Sequence, residues 1–100
     1  MPRLKIAVAH SLDRQTAVER LKGFLDQVKA QYQDRLSNLE EEWDESGGRF
    51  KFSAMGFSTE GTISVEEDEV RVDGKLPLAA MIIKGQIEET IRGHLKKVLA

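Results

Sequence analysis

The chain reads as an α+β domain with a one-sided antiparallel sheet, and three features of its 100 residues point there. Two stretches repeat apolar residues every three or four positions, one before and one after a long central segment. That central segment alternates apolar and polar residues and is broken at short intervals by Gly, Ser and acidic turns. A short alternating run also precedes the first helical stretch. The order is β-α-β-β-β-β-α, with both helices on the apolar face of the sheet.

The opening strand runs from Arg3 to Ala9, where Leu4, Ile6 and Val8 share one face and Lys5, Ala7 and Ala9 the other. His10 to Asp13 break the alternation, and either Ser11 or Asp13 can cap the helix that follows. From Arg14 to about Leu36, residues Ala17, Leu21, Phe24, Leu25, Val28, Tyr32 and Leu36 form an apolar stripe opposite Glu19, Lys22, Asp26, Lys29 and Gln33. Gly23 falls on the solvent side and costs about 1 kcal/mol relative to alanine.

Four strands follow as a meander. Leu39, Glu41 and Trp43 share a face of the first, and a Ser46-Gly47-Gly48 turn leads to the second, where Phe50, Phe52 and Ala54 align. Met55 to Ser58 form the next turn, with Gly56 supplying backbone freedom. Gly61, Ile63 and Val65 line the third strand, Glu66 to Asp68 turn, and Val70, Val72 and Gly74 line the fourth. The opposite face carries Glu40, Glu42, Arg49, Lys51, Ser53, Thr62, Ser64, Glu69, Arg71 and Asp73, a solvated surface of mixed sign.

The last helix is expected over Lys75 to Ala100, started by Pro77. Its second half is amphipathic, with Ile87, Ile91, Leu95 and Val98 in a stripe and Glu88, Glu89, Arg92 and Lys96 opposite. Its first half, Leu78 to Ile83, has no polar side before Lys84, so apolar groups must also point outward. Leu78, Met81 and Ile82 are therefore the candidate binding residues, with Gly85 leaving room for close approach and Met81 able to adapt to an irregular surface.

Composition excludes several classes of function. Fifteen Lys and Arg against seventeen Asp and Glu, interspersed, give no basic stripe for nucleic acid. There is no cysteine, so thiolate chemistry and Cys-based metal sites are absent. No run approaches the ~20 apolar residues of a membrane span, and a signal-like apolar core is missing from the first residues. The expectation is a single soluble, cytoplasmic domain over residues 1–100. His10 and His94 lack a Glu-x-x-His spacing or a third catalytic group, no Gly-rich phosphate loop leads into a helix, and no serine sits in a nucleophile elbow. No catalytic residue, metal site or cofactor is assigned, and the protein is expected not to be an enzyme. One enzymatic alternative rests on Pro2, which after removal of Met1 would be a secondary amine before a strand and helix. That opening resembles the tautomerase family, which uses an N-terminal proline as a general base.

A second resemblance spans nearly the whole chain. His10-x-Leu12 before a helix containing Ala17, then Trp43, Phe50-x-Phe52 before Gly56, Gly61-x-Ile63-x-Val65, Leu76, and the spacing Lys84, Ile87, Ile91, Leu95 occur in an order similar to that of the polyhydroxyalkanoic acid system family. These are small bacterial proteins associated with polyhydroxyalkanoate granule gene regions. The chain departs from the family at Asp44 to Arg49, where the family has a shorter Trp-x-Gly turn. The resemblance implies a non-enzymatic accessory or structural role in polyester storage. The partners it implies are the granule surface, a granule coat protein or a second copy of the chain, and it implies no catalytic residues. A carrier of small apolar ligands, with a sheet gripping a long helix, is the fold-analogy alternative.

Overall fold

The computed structural model describes residues 3–54 and 56–100. Its elements are β1 (Arg3–Ala9), α1 (Arg14–Gln31), β2 (Leu36–Asp44), β3 (Gly47–Ala54), β4 (Phe57–Val65), β5 (Glu69–Lys75), a 3-10 segment (Leu78–Ile83) and α2 (Lys84–Leu99). All five strands are antiparallel neighbours in one sheet of order β1-β5-β4-β3-β2, so the expected α+β arrangement is the one observed. The meander closes on β1 because β5 pairs with it in full register, Leu4 opposite Gly74, Ile6 opposite Val72 and Val8 opposite Val70.

Alternation explains the core. Leu4, Ile6 and Val8 of β1, Val70 and Val72 of β5, and Ile63 and Val65 of β4 are buried on one sheet face. They meet Ala17, Val18 and Leu21 of α1 and Leu95 and Leu99 of α2 in one cluster, so both helices cover the same face. Asp13, not Ser11, caps α1: one carboxylate oxygen accepts the Thr16 amide at 3.2 Å and the other accepts the Thr16 hydroxyl at 2.6 Å. Those two bonds, the hydroxyl's first, hold the Asp13 carboxyl below its usual range. At the far end Arg20 donates to the carbonyls of Val98 and Ala100, satisfying the last turn of α2 from α1.

Several boundaries differ from expectation for identifiable reasons. α1 ends at Gln31, not near Leu36, because the chain turns back at Tyr32, whose carbonyl accepts the amides of Arg35 and Leu36. Leu36 then opens β2. Between Ser37 and Glu40 the β2–β3 register slips by one residue at a bulge, with Asn38 at φ +54°. The extra residue reverses the strand's parity and lets Leu36 share a face with Glu41 and Trp43. The β2–β3 turn is Glu45-Ser46, with Asp44 accepting the Ser46 amide at 2.8 Å, and Gly47 already belongs to β3. A side chain on Gly47 would collide with the Ile63 carbonyl, so glycine is required there by close approach. Phe57 and Ser58, expected in a turn, extend β4 instead, while Gly56 takes the expected left-handed backbone at φ +82°.

Candidate functional site

The expected final helix is two elements. Pro77 starts a 3-10 segment in which the Ala80 amide bonds the Pro77 carbonyl at 2.9 Å, and the α-helical path begins only at Lys84. With three residues per turn, Leu78 and Met81 eclipse, as do Ala79 with Ile82 and Ala80 with Ile83. An α-helical path through this run would align no amphipathic stripe, so burial gives it no advantage. None of the six residues is buried. Leu78 is 75% exposed, Ile82 93%, Met81 50% and Ile83 47%. Gly85 sits in the first turn of α2, exposed, with nothing within 4 Å of where a Cβ would stand.

Beside this segment the β4–β5 ladder stops at Gly61 opposite Gly74. Beyond it Leu76 and Pro77 turn away from β4, opening a groove of about 580 Å³ between Phe57–Glu60 and Lys75–Leu78, with Lys51 of β3 at its rim. Leu76 is anchored on the core, whereas Phe57 is 49% exposed and faces the groove with Leu78. The groove is held in shape by two ties. The Thr59 hydroxyl donates to the Lys75 carbonyl, and the Lys75 ammonium lies 2.7 Å from the Glu60 carboxylate. The bond from Lys75 holds the Glu60 carboxyl below its ordinary range.

The structure brings Leu78, Met81, Ile82 and Gly85 into one short surface stretch, and adds Phe57, Ile83 and Lys51, which sequence reasoning did not single out. A cue for Phe57 was present: Phe57, Thr59, Gly61, Ile63 and Val65 alternate without interruption. Lys51 joins the groove only through the β3–β4 register, which places it opposite Glu60.

The remaining candidates have structural partners. His10 is buried; its Nδ1 accepts the Leu12 amide at 3.1 Å, which makes Nε2 the protonated nitrogen that donates to the Glu66 carbonyl at 2.9 Å. It pins the β4–β5 turn to the start of α1. His94 is exposed, its ring 5.9 Å from that of Phe24. Among the described residues no three His, Asp or Glu side chains are grouped to hold a metal ion, and no helix is long and apolar enough to cross a membrane. Pro2, the alternative catalytic amine, lies outside the described residues. Between α1 and the sheet, where a carrier would hold its ligand, Trp43 and Phe50 pack on the core, and a groove of about 270 Å³ lies among Lys29, Ala30, Gln33, Leu36 and Leu39.

Residues 4–99 match a family profile described as "Putative polyhydroxyalkanoic acid system protein". No curated protein matches the chain. A similar solved structure is the crystal structure of TTHA0849 from Thermus thermophilus, 14% identical, covering 98% of this chain and 94% of that one at a TM-score of 0.38.

Proposed function

The chain belongs to the polyhydroxyalkanoic acid system family, and from that membership we propose that it is a non-enzymatic accessory or structural protein of polyester storage. On this reading it docks on the granule surface through Leu78, Met81 and Ile82, with Gly85 admitting a close approach. The observation that carries it is the 3-10 segment itself, four large apolar side chains in six residues, each at least 47% exposed. Soluble domains rarely leave such a patch without a partner. Covering a few hundred Å² of it at about 25 cal/mol per Å² contributes several kcal/mol before the cost of association is subtracted. A polyester surface presents the apolar counterpart, and Met81 can fit its irregularity. The working location on this reading is the cytoplasmic granule surface.

Sedimentation with isolated polyhydroxyalkanoate granules tests this directly. The protein should pellet with granules, and Leu78→Asp with Ile82→Lys should release it while circular dichroism stays unchanged. Protein-free polyester particles separate binding to the polymer from binding to a coat protein, and light scattering separates both from self-association. A folded double variant that pellets like the parent, with the same oligomeric state, removes this face from the mechanism.

A further inference from the structure

We propose that the groove between Phe57–Glu60 and Lys75–Leu78 is a binding site for an aliphatic carboxylate, the acid set on Lys51 and the chain laid along Phe57, Leu76, Pro77 and Leu78. The inference deepens the proposed function and rests on it for its biological sense, because polyhydroxyalkanoates are built from such acids. The groove shares Leu78 with the exposed 3-10 face, and its other walls lie outside that face.

The first ground is shape. The groove, about 580 Å³, falls within the several hundred Å³ typical of small-molecule sites. It is formed where two chain segments part, so its walls are held by the sheet and by the core anchor of Leu76.

Charge is the second ground. Three charged residues line it, Lys51, Lys75 and Glu60. Glu60 and Lys75 neutralise each other at 2.7 Å. Lys51 makes no ion pair among the described residues, although it stands opposite Glu40 and Glu60 in the sheet, so the groove lining as a whole carries one net positive charge beside an apolar wall. A single cation on an aliphatic surface is complementary to a single anion on an aliphatic tail. It disfavours a cationic amphiphile, and one charge is too little for a polyanion.

The third ground is the open strand edge. Phe57 to Glu60 pair with β3, but the β5 ladder does not extend to them. In an antiparallel strand, alternate residues aim their N–H and C=O to the same side. Part of this four-residue edge therefore presents backbone polar groups into the groove. The Ser58 hydroxyl is engaged with Ser53 at 3.1 Å and the Thr59 hydroxyl with Lys75, so the backbone amides are the donors left for a hydroxyl or ester oxygen of the ligand.

The experiment titrates the folded protein with decanoate, 3-hydroxydecanoate, 1-decanol and decyltrimethylammonium below their micellar range, following the amide shifts of Phe57, Ser58, Thr59, Glu60, Lys75, Leu76 and Leu78. Both carboxylates should saturate one site at these amides. Lys51→Met should weaken them about five-fold while leaving 1-decanol unchanged. Tighter binding of 3-hydroxydecanoate than of decanoate identifies a hydroxyalkanoate site, and equal binding a general fatty-acid site; either supports the proposal. No saturable shift with the carboxylates, equal affinity for decyltrimethylammonium, or an unaffected Lys51→Met overturns it. Ile82→Lys, outside the groove, separates the two ideas: it should keep carboxylate binding and lose granule sedimentation. Granule sedimentation without carboxylate binding overturns the groove alone, and carboxylate binding in a protein that ignores granules overturns the docking reading alone.

Discussion

The two ends of this sheet are written in the same alternating code and finish differently. At one end β1, β5 and the last residues of β4 lie under Ala17, Val18 and Leu21 of α1 and Leu95 and Leu99 of α2, all buried. At the other, Leu36, Leu39, Phe50 and Phe52 of β2 and β3 are only half-buried, and Phe57 of β4 is half-exposed. Alternation states which face of a strand is apolar. Whether a helix covers that face depends on where the helices end and how they cross. α1 stops at Gln31, and α2 begins its α-helical path only at Lys84. Over the open end, a charged contact stands in for packing: the Lys29 ammonium lies 2.6 Å from Glu41, on the helix-covered side of β2. The candidate docking face and groove belong to this less covered region, which has the freedom to meet a partner because it contributes less to stability.

The sharpest test of that contrast is a pair of truncations. Leu21→Ala, at the centre of the covered end, should cost about 2–5 kcal/mol in urea unfolding, whereas Leu39→Ala should cost under about 1.5 kcal/mol. His10→Ala belongs with the first, because it leaves the Glu66 carbonyl and Leu12 amide without their ring partner, and should cost about 1–3 kcal/mol. Equal losses at Leu21 and Leu39 would mean that the sheet is covered uniformly, and the division into two ends would fail.

A smaller effect should isolate the charged contact at the open end. The bond to Glu41 holds the Lys29 ammonium above its ordinary pKa, with Asp26 adding to the shift. A folded-state value raised above the unfolded one contributes stability below the unfolded lysine value, about 10.4, and that contribution is lost as pH rises through the folded value. Both groups are partly solvated, so the global melting temperature should move little. Trp43, two residues from Glu41 on the same side of β2, is the local reporter. Acrylamide quenching of Trp43 should rise above about pH 10.4 in the parent, and Lys29→Met should show the raised quenching already at neutral pH. Identical quenching curves would show that the ion pair does not hold α1 against β2.

Much of this architecture was legible because it follows from period alone. Leu4, Ile6 and Val8, Ala17 and Leu21 of the helical stripe, and Ile63, Val65, Val70 and Val72 all landed on the buried side, whereas Tyr32 of that stripe is exposed and Val18, outside it, is buried. Period failed where another rule intervened. The four-residue step from Tyr32 to Leu36 continues a helical pattern that the turn at Tyr32 has already ended. The bulge at Asn38 then changes parity without changing composition. Lys29, placed on the solvent side by helical phasing, reaches Glu41 because its long side chain spans the uncovered interval. The outward direction of Leu78 to Ile83 could be inferred from the lack of a polar side, but their 3-10 path could not. The groove depends on where a backbone ladder ends, which no local pattern records.

Three glycines provide the finest distinction between stability and docking. Gly23 in α1 and Gly85 and Gly93 in α2 are exposed, and an added Cβ at any of them meets nothing within 4 Å of the chain. Within one folded chain none of the three meets a steric block: alanine should stabilise by about 0.4–1 kcal/mol at each site, through helix propensity and a less free unfolded chain. They differ in position, since only Gly85 adjoins the exposed 3-10 segment. If that segment meets a surface closely, Gly85→Ala should raise the melting temperature and yet weaken granule sedimentation, while Gly23→Ala and Gly93→Ala raise it without touching sedimentation. Three variants with the same gain in stability and unchanged sedimentation would show that nothing approaches Gly85, and would confine the docking face to Leu78, Met81 and Ile82.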